Sequence, residues 1–568
     1  MRYLLILLWG ISIWSCKEVS KRDISTREPI GCATPVNDIA WYDTDNKPPL
    51  LQGLDVLDLP ISTDNAEAKK YVEQGLVLAY GFNHAEAARS FYYASKLDPD
   101  CAMAYWGFAL VLGPNINAVM EEANYNRAYT AIQKARALKH KTQAWEQGLI
   151  EALLQRYTPE PVIDRAQLDQ NYAHAMKALF NQFPGNPHIG TMYAEALMDL
   201  HPWDLWLKDG QPQAWTPKIL NVLEQVLAWD PRYPGAHHLY IHAVEASKQP
   251  EKGWNSAQMF DKDLVPGAGH LVHMPSHIYI RTGDYHLGTL ANERAIATDN
   301  EYFTACHAQG IYPLAYFPHK HHFLAATAAL EGAGEKALIA AQNVARYSNK
   351  QLMKQAGWGT LQHYYTIPYN IMVKFGKWDD ILALENPYPN LPYIQAIRHY
   401  ARGMAFWGKG NLNLAHKELA MLKSISEDSR LAEITIWDIN TVQQLTQIAS
   451  LILEAELMAS NGNWEKAIRL LTQAIALEDA LNYNEPPDWF FSVRHHLGAI
   501  QLDAGWFENA VETYTEDLKR LPKNGWALHG LKAAYRGLKD TEKERLIEEE
   551  LAQVWAHADI SLNSSRIK

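Results

Sequence analysis

The sequence predicts an all-α solenoid, an elongated array of stacked helical hairpins, and three observations support this fold class. A chain of 568 residues corresponds to several ordinary domains or to one long repeat array. One set of glycine, alanine, aromatic and proline residues returns at the same spacing in distant parts of the chain, which favours the array. Hydrophobic residues make up 48% and charged residues 20% of the chain, a balance that excludes wholesale disorder.

The repeating pattern is clearest near the two ends of the chain. A small residue is followed, at fixed distances, by an alanine, an aromatic residue and a proline. Small residues let two helix backbones approach each other, and a proline cannot continue a helix. Weaker copies begin at Gly403 and Ala455. The two clearest sets are Gly498, Ala510, Tyr514 and Pro522, and Gly75, Ala87, Phe91 and Pro99.

This pattern resembles the tetratricopeptide repeat (TPR), a pair of antiparallel helices, A and B, of about 34 residues. The resemblance covers most of residues 65–555 and implies a right-handed TPR-like α-solenoid of roughly 8–11 helical hairpins. We predict an N-terminal array over 65–298 and a C-terminal array over 318–568. Residues 299–317 break the period and are predicted to form an insertion over the concave groove. The fold alone does not specify a function, because it hosts many.

The first residues of the chain are typical of an export signal. Arg2 precedes an apolar run over 3–14 that is too short to span a bilayer, and Ser15 and Cys16 follow. This segment resembles a bacterial lipobox. The resemblance implies a signal peptide over 1–15, a lipidated Cys16, and a protein anchored at the periplasmic or cell-surface side of a bacterial membrane. Plain secretion is the alternative. Residues 16–64 are predicted to be a tether and an irregular lead-in segment.

Charge and cysteine content exclude several classes of function. The net charge of −12 argues against a nucleic-acid partner, which requires a basic face. The lipid anchor is the only membrane contact that we predict. Four cysteines are too few and too scattered for a disulfide scaffold or a zinc site of the CxxC type.

Histidines concentrate on the predicted groove. Fourteen of the 23 histidines lie between residues 188 and 363. Each repeat can be aligned by its turn glycine and its small residue, without reference to histidine, and the resemblance then implies that positions 2, 5 and 9 of helix A face the groove. The residues on these positions are His188, Glu195, His238, Glu245, His270, His273, His277, His319, His322 and His363.

Two histidine pairs have the spacing of a metal site. His238/His242 and His273/His277 are four residues apart, so each pair lies on one face of a helix, and the two helices are neighbours. We predict His238, His242, His270, His273 and His277 as ligands of a transition metal, Cu or Zn with Fe as a further candidate. Glu245 is the candidate catalytic base, a ligand or a partner of a ligand. The candidates for further ligands or substrate contacts are His319, His322, His363, His188 and Glu195.

Two local features bear on this site. Pro275 lies inside the His273/His277 pair, so helix A either bends there or begins there. The segment from Asn484 to Trp489 precedes a repeat and is predicted to be a lead-in loop, or to fold across the groove.

Three functions fit the sequence. The first is a metalloprotein, possibly a metal-dependent hydrolase or oxidoreductase, with a small-molecule or peptide substrate in the concave groove. The second is a non-catalytic TPR scaffold that binds a peptide or protein partner. The third is a glycan-capturing outer-membrane lipoprotein. Only the first requires stoichiometric metal.

Overall fold

A computed structural model describes residues 39–44, 46–306, 308 and 310–568. The predicted signal peptide and Cys16 lie outside these residues. The described part of the chain is an all-α helical solenoid, as predicted.

The first half of the described chain contains fourteen α-helices and three short 3-10 turns. Two of these turns flank α5, and the third precedes α11. The 3-10 turns are Glu122–Asn124, Lys139–Lys141 and Pro250–Gly253. The α-helices are α1 (Ile39–Tyr42), α2 (Ala66–Tyr80), α3 (His84–Leu97), α4 (Ala102–Val111), α5 (Tyr125–Leu138), α6 (Ala144–Leu154), α7 (Ala166–Gln182), α8 (Pro187–Asp199), α9 (Thr216–Trp229), α10 (Pro234–Glu245), α11 (Trp254–Asp261), α12 (Gly269–His273), α13 (Pro275–Thr282) and α14 (Tyr285–Ala305).

The second half continues the same architecture. It includes a π-helical turn, Tyr312–Tyr316, two 3-10 turns, Leu352–Lys354 and Ser429–Ala432, and two short antiparallel strands, β1 (Thr435–Ile436) and β2 (Asn440–Thr441). The α-helices are α15 (Phe317–Leu330), α16 (Gly334–Tyr347), α17 (Gly359–Lys374), α18 (Trp378–Ala383), α19 (Pro392–Gly408), α20 (Leu412–Ser426), α21 (Val442–Ser460), α22 (Trp464–Asp479), α23 (Arg494–Asp503), α24 (Phe507–Arg520), α25 (Gly525–Gly537) and α26 (Thr541–Val554).

Consecutive helices pack in pairs, from α2 with α3 to α25 with α26. With α12 and α13 taken as one interrupted helix A, the described residues form twelve hairpins, one more than the upper end of the predicted range. The A helices line the inside and the B helices the outside. All twelve residues of α10 are buried, whereas α26 has none that are.

The recurring small residues lie at the predicted helix crossings. A Cβ on Gly107 would stand 2.2 Å from the ring of Phe91, and one on Gly530 would stand 2.1 Å from the ring of Tyr514. Only glycine therefore lets these large rings fill the space between the helices. The pattern that suggested the repeat is thus a packing pattern.

Both ends of the array fold back on its middle. The Gly53 carbonyl accepts a hydrogen bond from the Gly267 amide (3.2 Å), so the lead-in segment packs next to α12. At the other end, the Trp526 indole of α25 donates to the Ala329 carbonyl of α15 (2.9 Å). Along α10, α12, α13 and α15 the inner face is consequently a buried interior, whereas we predicted a concave groove.

The structure adds detail to two of the predicted segments. Within the predicted tether and irregular lead-in segment, residues 46–64 are irregular but packed, because Leu54 is buried and the Pro48 carbonyl accepts from the Tyr71 hydroxyl (2.8 Å). The predicted insertion over 299–317 does not begin at 299, because α14 runs on to Ala305 and its Asp299 is buried. Helix α14 continues through the break in the repeat because its buried face still packs against α12 and α15.

The prolines in the two matching A helices behave differently. Pro275 lacks an amide hydrogen, so the helix is interrupted between His273 and Pro275 and restarts as α13. Pro368 lies inside the uninterrupted helix α17. Within the described residues, no helix is both long enough and apolar enough to cross a membrane.

Candidate metal centre

Six histidines of the predicted set meet in the interior as two groups of three. The first triad is His238, His242 and His270, from α10 and α12. The second triad is His273, His277 and His319, from α12, α13 and α15. In each triad, one ligand atom from every residue lies within 4.8 Å of the others. All these side chains are buried except that of His319, which is partly buried.

The closest contacts in each triad join two Nε2 atoms. His238 Nε2 lies 3.1 Å from His270 Nε2, and His273 Nε2 lies 3.0 Å from His277 Nε2. The third ring of the second triad, His319, has its centroid 5.1 Å from that of His273. His242 Nε2 is buried and has no hydrogen-bond partner among the described residues.

Glu245 joins the two triads. One carboxylate oxygen lies 2.6 Å from His242 Nδ1 and the other lies 2.6 Å from His277 Nδ1. Burial alone would raise the pKa of Glu245, but the two imidazoles beside it lower the pKa below its ordinary value. The carboxylate therefore accepts from both rings and orients them. Of the three roles predicted for Glu245, this geometry favours that of a partner of ligands, because each oxygen lies against the Nδ1 of a different ring.

The hydrogen bonds of His273 fix its tautomer. Its Nδ1 lies 2.7 Å from Asn292 Oδ1, and the Asn292 amide nitrogen donates to the Gly288 carbonyl (2.7 Å), which sets the orientation of the amide. Ser276 Oγ lies 3.1 Å from the same Nδ1 and donates its own hydrogen to the His273 carbonyl. Nδ1 of His273 is therefore the donor, and its Nε2 carries a lone pair.

His277 has the same arrangement because its Nδ1 donates to Glu245. With His277 neutral, the form in which an imidazole binds a metal ion, two Nε2 lone pairs face each other at 3.0 Å. Neutral imidazoles in this orientation repel, unless a proton or a metal ion lies between them. Outer acceptors on Nδ1 and a free Nε2 are the usual arrangement of metal-bound histidine.

Burial favours the neutral form of four rings of the triads. It lowers the pKa of His238, His270 and His273 well below the ordinary histidine value, and neighbouring imidazoles lower each further. Burial also lowers the pKa of His242. Neutral imidazole is the form that binds a metal ion.

A phenylalanine covers each triad. The Phe82 ring has its centroid 4.7 Å from that of His238, and the Phe323 ring has its centroid 4.5 Å from that of His277. Phe82 adopts φ of 54°, a left-handed conformation that is uncommon for a residue with a side chain. The turn between α2 and α3 thus holds an aromatic ring against the first triad and excludes water from it.

The lead-in loop before α23 reaches the same carboxylate. The Tyr483 hydroxyl lies 3.0 Å from a Glu245 oxygen and 2.7 Å from a Glu485 oxygen. Burial raises the pKa of Glu485 to about 7, although Arg281 opposes this shift. Of the two alternatives for this segment, a lead-in loop or a loop that folds across the groove, the second agrees with this contact, although Tyr483 itself precedes the predicted segment.

A buried ion pair lies beside the triads. Lys320 Nζ lies 2.5 Å from Asp299 Oδ2 and 2.9 Å from the Tyr312 hydroxyl, which in turn lies 2.9 Å from Asp299 Oδ1. Burial lowers the pKa of Lys320 and raises that of Asp299, and each charge opposes the shift of the other.

The remaining predicted residues lie outside the triads. His188 Nδ1 is 2.9 Å from the Tyr80 hydroxyl. Burial, followed by the charge of Asp199, raises the pKa of Glu195 to about 8. His322 and His363 form a separate buried pair whose ring centroids are 5.7 Å apart. The groove alignment placed these residues on the inner face but could not tell which neighbours would converge.

Several contributors were not predicted from the sequence. Asn292 lies in α14 among small buried residues, Gly288, Ala291 and Ala295, and a polar residue in such company is a usable signal for a buried hydrogen bond. Phe82 and Tyr483 come from loops in distant repeats. Their positions depend on how the array winds, and no local pattern records this.

Neither a protein-family model nor a characterised protein matches this sequence. The human IFIT1 dimer with m7Gppp-AAAA covers 88% of this chain and 92% of its own, at 12% identity and a TM-score of 0.30. The APC/C hetero-tetramer Cut9–Hcn1 covers 87% and 74%, at 13% identity and 0.29. The P58(IPK) TPR domain covers 84% and 100%, at 13% identity and 0.19. Similarity at these levels carries no information about what this chain binds.

Proposed function

We propose that this protein is a transition-metal protein whose two histidine triads form the metal centre. The observation that carries the proposal is the His273–His277 contact, in which two buried Nε2 atoms face each other at 3.0 Å while both Nδ1 atoms donate to fixed acceptors. Two nitrogens bound to one ion at about 2.0–2.1 Å stand roughly 3 Å apart when the angle between them is near 90–110°. The observed distance is therefore suited to a shared ion.

The donor set favours Cu or Zn, with Fe as a further candidate. All six donors are imidazoles, and Glu245 accepts from the outer nitrogens of two of them, His242 and His277. Imidazole suits these metals, whereas Ca and Mg require oxygen ligands. Such an ion supplies either an activated water for hydrolysis or a redox couple, and the protein is then a metal-dependent hydrolase or oxidoreductase.

A small molecule is the substrate class that fits this centre. The triads lie in a buried interior, but His319 is partly buried and Trp203, which is 42% exposed, has its ring centroid 5.3 Å from that of His242. The site thus lies close beneath the surface at Trp203. Because the inner face here is filled by protein, a peptide or a glycan chain has less room than an open groove would provide.

Metal analysis tests this proposal. The full chain, purified without a histidine tag and loaded with Cu or Zn, should retain stoichiometric metal after gel filtration, as measured by mass spectrometry. His273→Ala combined with His277→Ala should lower the metal content. His322→Ala combined with His363→Ala removes two equally buried imidazoles outside the triads and should leave the content unchanged. Wild-type protein that retains no metal would refute the proposal.

For location, we propose a lipid anchor at Cys16 on the periplasmic or cell-surface side of a bacterial membrane. The sequence around Ser15 and Cys16 supports it. Cys16→Ser should release the protein from membranes into the soluble fraction. A Cys16→Ser protein that partitions like the wild type would show that Cys16 is not the anchor.

A further inference from the structure

We infer that the centre binds two metal ions, one in each triad, and that Glu245 couples the two sites. This inference rests on the proposed function, because it requires that the triads bind metal at all. It adds the number of ions, their division between the triads and the residue that links them.

The distribution of donors favours two ions over one. Each triad contains one pair of Nε2 atoms, 3.1 Å apart in the first and 3.0 Å apart in the second. Among the described residues, the donor groups within 4.8 Å of one another are the two triads and a group of His242, Glu245 and His277. The group that spans both triads therefore contains Glu245, whose two oxygens already accept hydrogen bonds from His242 and His277. It is not a third set of imidazole nitrogens. A single ion bound by all six imidazoles would require the rings of both triads to move toward one point. Two ions, one in each triad, require only small shifts of the three rings around each ion.

The two sites are close enough to act together. The His242 and His277 ring centroids are 5.2 Å apart, and those of His270 and His273 are 5.8 Å apart. Rings of different triads are therefore as near to each other as rings within a triad. Ions in two-metal sites lie about 3.5–4 Å apart, a distance that one small ligand such as hydroxide can bridge.

Glu245 provides the coupling. Its two oxygens accept from one ligand of each triad, His242 and His277. An ion on Nε2 of one ring makes the Nδ1–H of that ring a stronger donor, and the shared carboxylate then moves or polarises toward it. The hydrogen bond to the other triad changes as a result, and coupling between two sites is reciprocal.

The charge balance favours copper as the metal. Imidazoles bound to a metal ion are neutral and contribute no charge, Glu245 contributes one negative charge, and Lys320 and Asp299 neutralise each other. Two divalent ions would leave a large positive charge in a buried interior unless an anion bridges them. Copper can be held as two monovalent ions, which zinc and iron cannot, and this halves the charge to be balanced; a divalent pair of any of these metals needs a bridging anion, such as the hydroxide left when a water releases a proton to the solvent.

Metal stoichiometry separates the possible outcomes. The full chain without a histidine tag, freed of metal and loaded with copper, should retain two ions. His238→Ala with His270→Ala should retain one, as should His273→Ala with His277→Ala. His322→Ala with His363→Ala should retain two and shows the effect of losing buried imidazoles as such. A wild type that binds one ion, lost from both triad variants, would overturn the two-site inference but leave the proposed function standing. No bound metal would overturn both.

Electron paramagnetic resonance tests the coupling. In the oxidised wild type, two bridged Cu(II) ions should give a spin count below half of the bound copper, whereas each triad variant should give about one spin per bound ion. Glu245→Gln cannot accept from both rings through two oxygens and should weaken both sites together, by about 10–100-fold. A full spin count in the wild type, or a Glu245→Gln protein in which only one site weakens, would overturn the coupling. Circular dichroism confirms that each variant is folded.

Discussion

The buried pair of Lys320 and Asp299 gives a prediction whose magnitude follows from elementary electrostatics. Both side chains are almost completely buried, and among the described residues the Tyr312 hydroxyl is the one other group that hydrogen-bonds to the carboxylate. Lys320→Met leaves Asp299 buried without its cation. Removing one partner of such a pair costs about 3–5 kcal/mol.

The carboxyl group limits this cost by taking up a proton. Neutralising a carboxyl of ordinary pKa of about 3.9 at pH 7 costs roughly 4 kcal/mol, at about 1.4 kcal/mol for each pH unit. At pH 5 the same step costs roughly 1.5 kcal/mol. A raised pKa in the folded state favours the protein at low pH, so the destabilisation by Lys320→Met should shrink between pH 7 and pH 5.

The reciprocal variant should have the opposite pH dependence. Asp299→Asn leaves Lys320 buried and unpaired, and its ammonium must lose a proton. With an ordinary lysine pKa of about 10.4, this costs roughly 4.6 kcal/mol at pH 7 and about 2 kcal/mol at pH 9. Its destabilisation should therefore shrink as the pH rises.

Hydrogen exchange of α14 and α15 amides measures these changes locally, which suits a repeat array whose parts open separately. The protein should be compared with and without metal, because Lys320 adjoins the ligand His319. Costs below about 1 kcal/mol, or the same direction of pH dependence in both variants, would show that the pair is not a desolvated ion pair of the kind described here.

The remaining predictions concern packing and access. Gly107→Ala places a methyl group against the Phe91 ring and should lower the free energy of unfolding by about 1–3 kcal/mol in urea titrations. Gly505→Ala is the control, because no atom lies near its Cβ, and it should cost about 1 kcal/mol through its positive φ alone. Equal costs for the two variants would refute the packing argument. At position 203 the backbone φ is 57°, which asparagine tolerates, so Trp203→Asn should uncover His242 without loss of stability. A chelator should then remove bound metal faster than from the wild type. An unchanged rate would show that the metal leaves by another route.

The sequence predicted the fold and the inner position of the histidines because both depend on local repeats. The turn glycine and the small residue at each helix crossing align every A helix, and the helical period then determines which residues share a face. The spacing of His238, His242 and Glu245 therefore translated directly into geometry.

The contacts that could not be predicted are those between distant repeats, because they depend on the rotation of each hairpin relative to the next. Phe82, Tyr483 and Trp526 come from different repeats, yet each contacts the middle of the array. Small rotations between successive hairpins accumulate into this closure, and no single repeat records them. His322 and His363 also lie at groove-facing positions of helix A, yet they form a separate pair. The position in the repeat does not determine which histidines meet, because that depends on the rotation between hairpins.

The closure also gives these histidines an environment that an open groove would not. In an open groove, water would satisfy each imidazole, and six of them would need no further explanation. In the buried interior, His242 Nε2 lacks a hydrogen-bond partner among the described residues, and the Nε2 atoms of His273 and His277 face each other. Such arrangements destabilise a fold unless a proton or a metal ion lies between the lone pairs. A bound metal ion would do so while Glu245 and Asn292 accept from the outer nitrogens of His242, His277 and His273, so metal binding and the winding of the array should stabilise each other.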